Sequence, residues 1–65
     1  MIERGQVYRV VDSGLLVAVR RVARDRSWAD VEVHDPNRPK ALAWRKRQPL
    51  RGGQLPFAAE LTESA

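Results

Sequence analysis

Strict alternation of apolar and polar residues over residues 28–35 is the feature that most constrains the fold of this chain. The apolar members share one side of the segment: Ala29, Val31 and Val33. The other side carries Trp28, Asp30, Glu32 and His34. A period of two residues is typical of a β-strand with one buried and one solvated face. The segment therefore predicts a strand that needs further strands beside it to bury its apolar side.

The N-terminal third of the chain predicts a β-hairpin. The segments 6–12 and 15–23 are rich in β-branched residues, and the turn pair Ser13-Gly14 separates them. In the second segment the apolar alternation slips by one residue at Arg20-Arg21. Such a slip indicates a β-bulge, which bends a strand and helps a small sheet close on itself. A strand that simply ends at Arg20 is the alternative.

A fourth strand is predicted after the turn at residues 35–39, where two prolines restrict the backbone. In this strand we expect Leu42 and Trp44 to point into the core. The basic run that follows Trp44 extends beyond that core, and we expect the strand to end at Pro49 and Gly52-Gly53.

The segment 54–61 alternates as a fifth strand would, beginning near Leu55. Pro56 in front of further apolar residues would also suit a short helical turn, and the C-terminal tail is expected to fray. Strands at intervals of about ten residues predict an all-β fold, a small five-stranded SH3-like barrel. We expect a single domain over residues 1–65, with a core at about 5–61.

A family resemblance points the same way. The segment 4–10, followed by a turn, a long bent strand and the segment 28–33, resembles the start of SH3-like barrel domains. These include KOW-type modules and short uncharacterised proteins of actinobacteria and their phages. The resemblance in spacing covers roughly the first 35 residues. It implies an open or closed five-stranded barrel whose relatives bind RNA, DNA or protein segments, and the fold alone does not choose among them.

The size of the chain limits its stability. A domain of 65 residues buries only about 60% of the surface that its unfolded chain exposes. Without cysteine it has neither a disulfide nor a thiolate metal site, so support must come from a partner, a homodimer or unusually efficient packing. The sequence has no apolar run of about 18 residues and no secretory pattern. We therefore expect a cytoplasmic protein that does not enter a membrane.

The net charge of +4 hides a strongly uneven distribution. The segment 38–51 holds six basic residues and no acidic one, and the segment 20–26 holds four arginines and one aspartate. If the sheet brings these segments together, they form a phosphate-binding surface, for which the planar guanidinium is well suited. The predicted nucleic-acid-binding residues are Arg20, Arg21, Arg24, Arg26, Trp28, Lys40, Arg45, Lys46, Arg47 and Arg51.

The same residues permit less specific interpretations. Charged strand ends are often just solvated, and arginines of the second strand could pair with Asp30 and Glu32 across the sheet. Trp28 would stack on a base or cap the open end of the barrel. A protein-interaction module, or a small regulatory subunit that binds an acidic partner surface, is the alternative to nucleic-acid binding.

Neither catalysis nor a cofactor is expected. Asp30, Glu32 and His34 are metal-ligand types on one strand face, but neighbours on such a face are about 6.5 to 7 Å apart, which is wide for one ion. The serines at positions 13, 27 and 64 have no base in a predictable position. Gly52-Gly53 is too short to cradle a phosphate.

Overall fold

Five antiparallel strands form one sheet in the part of the chain that the structure describes, in the order β4-β3-β2-β1-β5. The computed structural model describes residues 1–63, and no helix occurs among them. The strands are β1 (Val7–Val10), β2 (Leu16–Val22), β3 (Trp28–His34), β4 (Trp44–Pro49) and β5 (Ala59–Glu63). The predicted all-β class is therefore confirmed. The tail predicted to fray includes Ser64 and Ala65, which lie outside the described residues.

The predicted hairpin forms between β1 and β2. The Gly14 amide donates to the Val10 carbonyl at 2.8 Å, and Gly14 has a φ of 74°. That left-handed conformation favours glycine, because a side chain there meets its own backbone. The turn that the pair Ser13-Gly14 predicted is confirmed.

The bulge in β2 is also confirmed. Val19 pairs with Val31 and the next pair on β3 is Arg21 with Asp30, so Arg20 is the extra residue. The extra residue returns Val22 to the core-facing side, opposite Ala29. Two consecutive arginines can therefore both remain exposed without reversing the apolar phase of the strand.

β3 carries the centre of the core. Its alternate residues Ala29, Val31 and Val33 are 0%, 2% and 5% exposed, as the alternation predicted. The other buried members of the core cluster are Ile2, Val17 and Val19. Ile2 lies before the predicted start of the core at residue 5, because the N-terminal turn folds back over the sheet.

The prediction that Leu42 and Trp44 lie in the core is wrong. Leu42 precedes the first residue of β4 and is 91% exposed. Trp44 pairs with Val33 and so takes the core-facing side, yet it is 46% exposed. The physical reason is that β4 is an edge strand, so no neighbour covers the far side of its inward residues.

β5 begins four residues later than predicted, at Ala59. A tight turn precedes it, in which Gly52 and Gly53 both have positive φ and Arg51 bridges to Gln54. The chain then packs Leu55 against the core without joining the sheet. Pro56 has no amide hydrogen to donate, which delays strand pairing.

β4 and β5 are the two edges of the sheet and do not pair with each other. The described chain is thus an open sheet rolled around its core. No helix within residues 1–63 is long and apolar enough to cross a membrane.

Candidate nucleic-acid interface

The register of the sheet brings the two basic segments together. β3 lies between β2 and β4, and directly paired residues of adjacent strands point to the same side. Asp30 pairs with Arg21 on β2 and with Arg47 on β4. Glu32 pairs with Arg45 on β4, and Arg20 reaches it from the bulge. We call the side of the sheet opposite the core the outer face, and its residues Arg20, Arg21, Arg45 and Arg47 the arginine surface.

Carboxylates of β3 hold parts of the arginine surface in place. Arg47 donates from Nε to Asp30 Oδ1 at 2.9 Å and from Nη2 to Oδ2 at 3.2 Å. Arg20 donates from Nε and Nη2 to Glu32 Oε2, at 3.0 and 2.6 Å. The alternative in which β2 arginines pair across the sheet is therefore confirmed for Arg20. These pairs are largely solvent-exposed, and such pairs add little stability and exchange readily.

The ion pairs lower the pKa of both carboxyl groups. The hydrogen bond from Arg47 lowers the pKa of Asp30, and that from Arg20 lowers the pKa of Glu32. The same bond from Arg47 to Asp30 raises the pKa of the Arg47 guanidinium. Both carboxyl groups are therefore ionised at neutral pH, and the arginine surface keeps part, not all, of its positive charge.

Trp28 lies against the guanidinium groups of this surface. The Arg47 Cζ atom is 3.6 Å from the centroid of the Trp28 ring, and the Arg21 Cζ atom is 5.4 Å from it. Both distances fall in the range of cation–π contacts. The ring is half-buried, so the outer face combines an aromatic plane with guanidinium planes.

An open groove of about 420 Å³ runs beside these residues, and we call it the basic groove. Its lining residues are Arg20, Arg21, Asp30, Val31, Arg45 and Lys46. Cations from β2 and β4, separated by more than twenty residues of sequence, thus line one concavity that contains a single acidic residue. Lys46 pairs with Val31 in the register of the core-facing side and lines a second groove there as well.

Six of the predicted binding residues do not line the basic groove. Two of them, Trp28 and Arg47, lie on the outer face beside it, and the other four lie elsewhere. Arg26 has a φ of 61° and donates from Nη1 to the Ile2 carbonyl at 2.8 Å, so it ties the β2–β3 turn to the N-terminal segment. Arg24 is exposed in the same turn, and Arg51 is exposed just after β4. Lys40 is exposed in the β3–β4 connection, at the opposite end of β4 from Arg51.

An apolar groove of about 210 Å³ on the core-facing side could not be predicted from the sequence. Its lining includes Val10, Leu15, Val33, Trp44, Lys46 and Phe57. The groove exists because β4 is an edge strand of the sheet, so that Trp44 and Phe57 remain incompletely covered. Whether these residues are covered depends on β4 being an edge strand, and the strand order cannot be read from the local sequence pattern.

The metal-ligand types on β3 are engaged with cations. Asp30 and Glu32 accept hydrogen bonds from Arg47 and Arg20. Within residues 1–63, no three side chains of histidine, cysteine, aspartate or glutamate are grouped to hold a metal ion.

No protein-family model matches the chain, and no curated protein or solved structure is significantly similar to it. The protein can therefore be classified only by its fold and its surface. The protein is a small all-β protein with one open antiparallel sheet. One side of that sheet covers the core, and the other carries the arginine surface.

Proposed function

We propose that the protein is a non-enzymatic nucleic-acid-binding module whose arginine surface contacts phosphates. The observation that carries the proposal is the basic groove, in which Arg20 and Arg21 of β2 meet Arg45 and Lys46 of β4. A concave surface with four cations and one carboxylate carries net positive charge and attracts a polyanion. We also propose that the sheet is an open form of the SH3-like barrel, since its five antiparallel strands are compatible with that architecture.

Arg21 and Arg45 are the best candidates for the first phosphate contacts. Among the described residues, Arg21 makes no ion pair within 4.0 Å, and Arg45 reaches Glu32 only at 3.8 Å. The Arg45 side chain is also 80% exposed. Arg20 can exchange Glu32 for a phosphate, because an exposed ion pair in water is weak.

Binding titrations test this function. Labelled single- and double-stranded DNA and RNA oligonucleotides are titrated with protein at about 50 and about 200 mM salt. We expect measurable binding at the lower salt and much weaker binding at the higher, because each neutralised phosphate releases counterions. The double variant Arg21→Gln/Arg45→Gln should lose at least about fivefold in affinity.

The matched control is Arg4→Gln/Arg9→Gln, which removes the same charge from the N-terminal turn and from β1. It should bind within about twofold of the wild type, since neither residue lines the basic groove. Undetectable binding at low salt, affinity that salt does not change, or equal losses in the two double variants would each contradict the proposal.

A protein-binding module is the second candidate function, and the edge strand β4 favours it. The outer edge of β4 has no partner strand in the described chain, and it borders the apolar groove. Leu42, Trp44 and Phe57 expose apolar surface there, and Lys46 adds a positive charge. An extended segment with apolar and acidic residues would suit this edge as an added strand.

Nuclease treatment separates the two functions. Tagged protein is isolated from its native cells after the nucleic acid has been digested. Under the second function one stoichiometric protein remains bound, Trp44→Ser releases it, and Arg21→Gln/Arg45→Gln leaves it in place. Loss of every associated molecule on digestion contradicts the second function and agrees with the first.

A further inference from the structure

We infer that the nucleic acid bound by the outer face is single-stranded, and that Arg47 contacts a base whereas its neighbours contact phosphates. This inference rests on the proposed function and names the substrate class of the same surface. The observation that carries it is the way in which Trp28 and Asp30 together hold the Arg47 guanidinium.

Asp30 and Trp28 together occupy one donor edge and one plane of the Arg47 guanidinium. Nε and Nη2 at its edge donate to the two oxygens of Asp30, at 2.9 and 3.2 Å. One of its planes lies on Trp28, with Cζ 3.6 Å from the ring centroid. A phosphate is recognised by the edge of a guanidinium, and Asp30 competes for two of the five N–H donors, the pair on the side edge.

The second plane of the guanidinium is left for a ligand, together with the end edge formed by Nη1 and the second N–H of Nη2. The Arg47 side chain is 57% exposed even with both contacts in place. Arg47 differs from Arg20 in having an aromatic plane beneath it as well as a carboxylate at its edge, so it presents a flat, cationic platform. Nucleobases stack on guanidinium planes as they do on aromatic rings. In a duplex the bases already stack on each other, so only an unpaired base can occupy this platform.

Phosphate contacts remain available on either side of the platform. Arg21 lies across Asp30 on β2, and Arg45 lies two residues before Arg47 on β4. Arg21 is two strand spacings of about 4.8 Å from Arg47, and Arg45 is one step of about 6.5 to 7 Å along β4, so both groups lie within about 10 Å of the platform. A single strand along the outer face would thus place its backbone on Arg21 and Arg45 and one base on Arg47.

The test combines two substrates with a charge-conserving variant. A single-stranded oligonucleotide of mixed sequence and a blunt duplex of the same length are titrated with wild-type protein, with Arg47→Lys and with the control Arg51→Lys. We expect the wild type to bind the single strand at least about fivefold more tightly than the duplex. Arg47→Lys should lose most of that preference, because lysine keeps the charge but has no plane to stack on.

The control Arg51→Lys makes the same chemical change at an exposed position after β4 and should keep the preference. The comparison of the two substrates with wild-type protein stands even if a variant folds poorly. Equal or tighter binding of the duplex overturns the inference and leaves the proposed function standing. An Arg47→Lys variant that keeps the full preference for the single strand has the same consequence. Absence of binding to either substrate overturns both.

Discussion

The two faces of β3 are built from alternate residues of one strand, yet they contribute different properties. On the core side, Val31 is 2% exposed and is surrounded by the apolar residues of β2. On the outer side, Asp30 accepts the guanidinium of Arg47 at the surface. Burial of apolar area stabilises a fold strongly, whereas exposed ion pairs contribute little to stability. Along β3, the odd-numbered residues contribute mainly to stability and the even-numbered residues contribute mainly to the outer face. We therefore expect that substitutions can change one property without the other.

The largest effect that we expect from substitutions on the two faces is a change in the free energy of unfolding. Val31→Ala should lower the free energy of unfolding by about 2 to 3 kcal/mol, because it removes buried methyl groups and leaves a cavity. Glu32→Ala, the next residue on the outer face, should lower it far less. Urea denaturation of both variants followed by circular dichroism measures the difference. Comparable losses in the two variants would contradict the separation of the faces.

Arg26 is expected to show an intermediate effect, since it is the arginine that stabilises the fold. Arg26→Ala should cost about 1 to 2 kcal/mol, because it removes the hydrogen bond to the Ile2 carbonyl. Arg26→Gly loses the same bond but relieves the positive φ, so it should be less destabilising by about 1 kcal/mol. Thermal unfolding compares them, with Arg24→Ala as the neutral control. If the glycine variant unfolds no later than the alanine variant, the backbone at position 26 is unstrained.

The smallest expected effect is the contribution of the outer carboxylates to acid stability. The folded protein lowers the pKa of Asp30 and Glu32, so their contribution is fully present above the pKa values of the unfolded chain. It is lost as pH falls through the lower, folded values, below about pH 4. Asp30→Asn/Glu32→Gln should therefore flatten the fall of the unfolding midpoint between about pH 5 and pH 2. An unchanged acid slope would show that these pairs do not form in solution.

The central strands β2 and β3 could be predicted from the sequence because each has a neighbouring strand on both sides. β3 alternates without a break, and the slip at Arg20-Arg21 locates the bulge of β2 to within one residue. In a strand with neighbours on both sides, the apolar phase determines which residues are buried. Local pattern and tertiary packing agree there.

The edge of the sheet could not be predicted in the same way. Leu42 and Trp44 have the phase of core residues, but burial needs a neighbour that β4 lacks on its free side. The pairing of Arg47 with Asp30 depends on the register between β3 and β4, which is set by the nine-residue connection from residue 35 to residue 43. That connection carries no signal that fixes the register, so the neutralisation of Arg47 by Asp30 became visible only in the structure.

The central claim is that Arg21 and Arg45, from distant parts of the chain, contact phosphates of one bound nucleic acid. The most direct test is the slope of log affinity against log salt concentration for a single-stranded oligonucleotide. Each phosphate contact adds about 0.7 to that slope, so Arg21→Gln/Arg45→Gln should reduce its magnitude by about 1.4. The control Arg4→Gln/Arg9→Gln should leave the slope unchanged. A wild-type slope near zero, or the same slope in wild type and Arg21→Gln/Arg45→Gln, would contradict the claim.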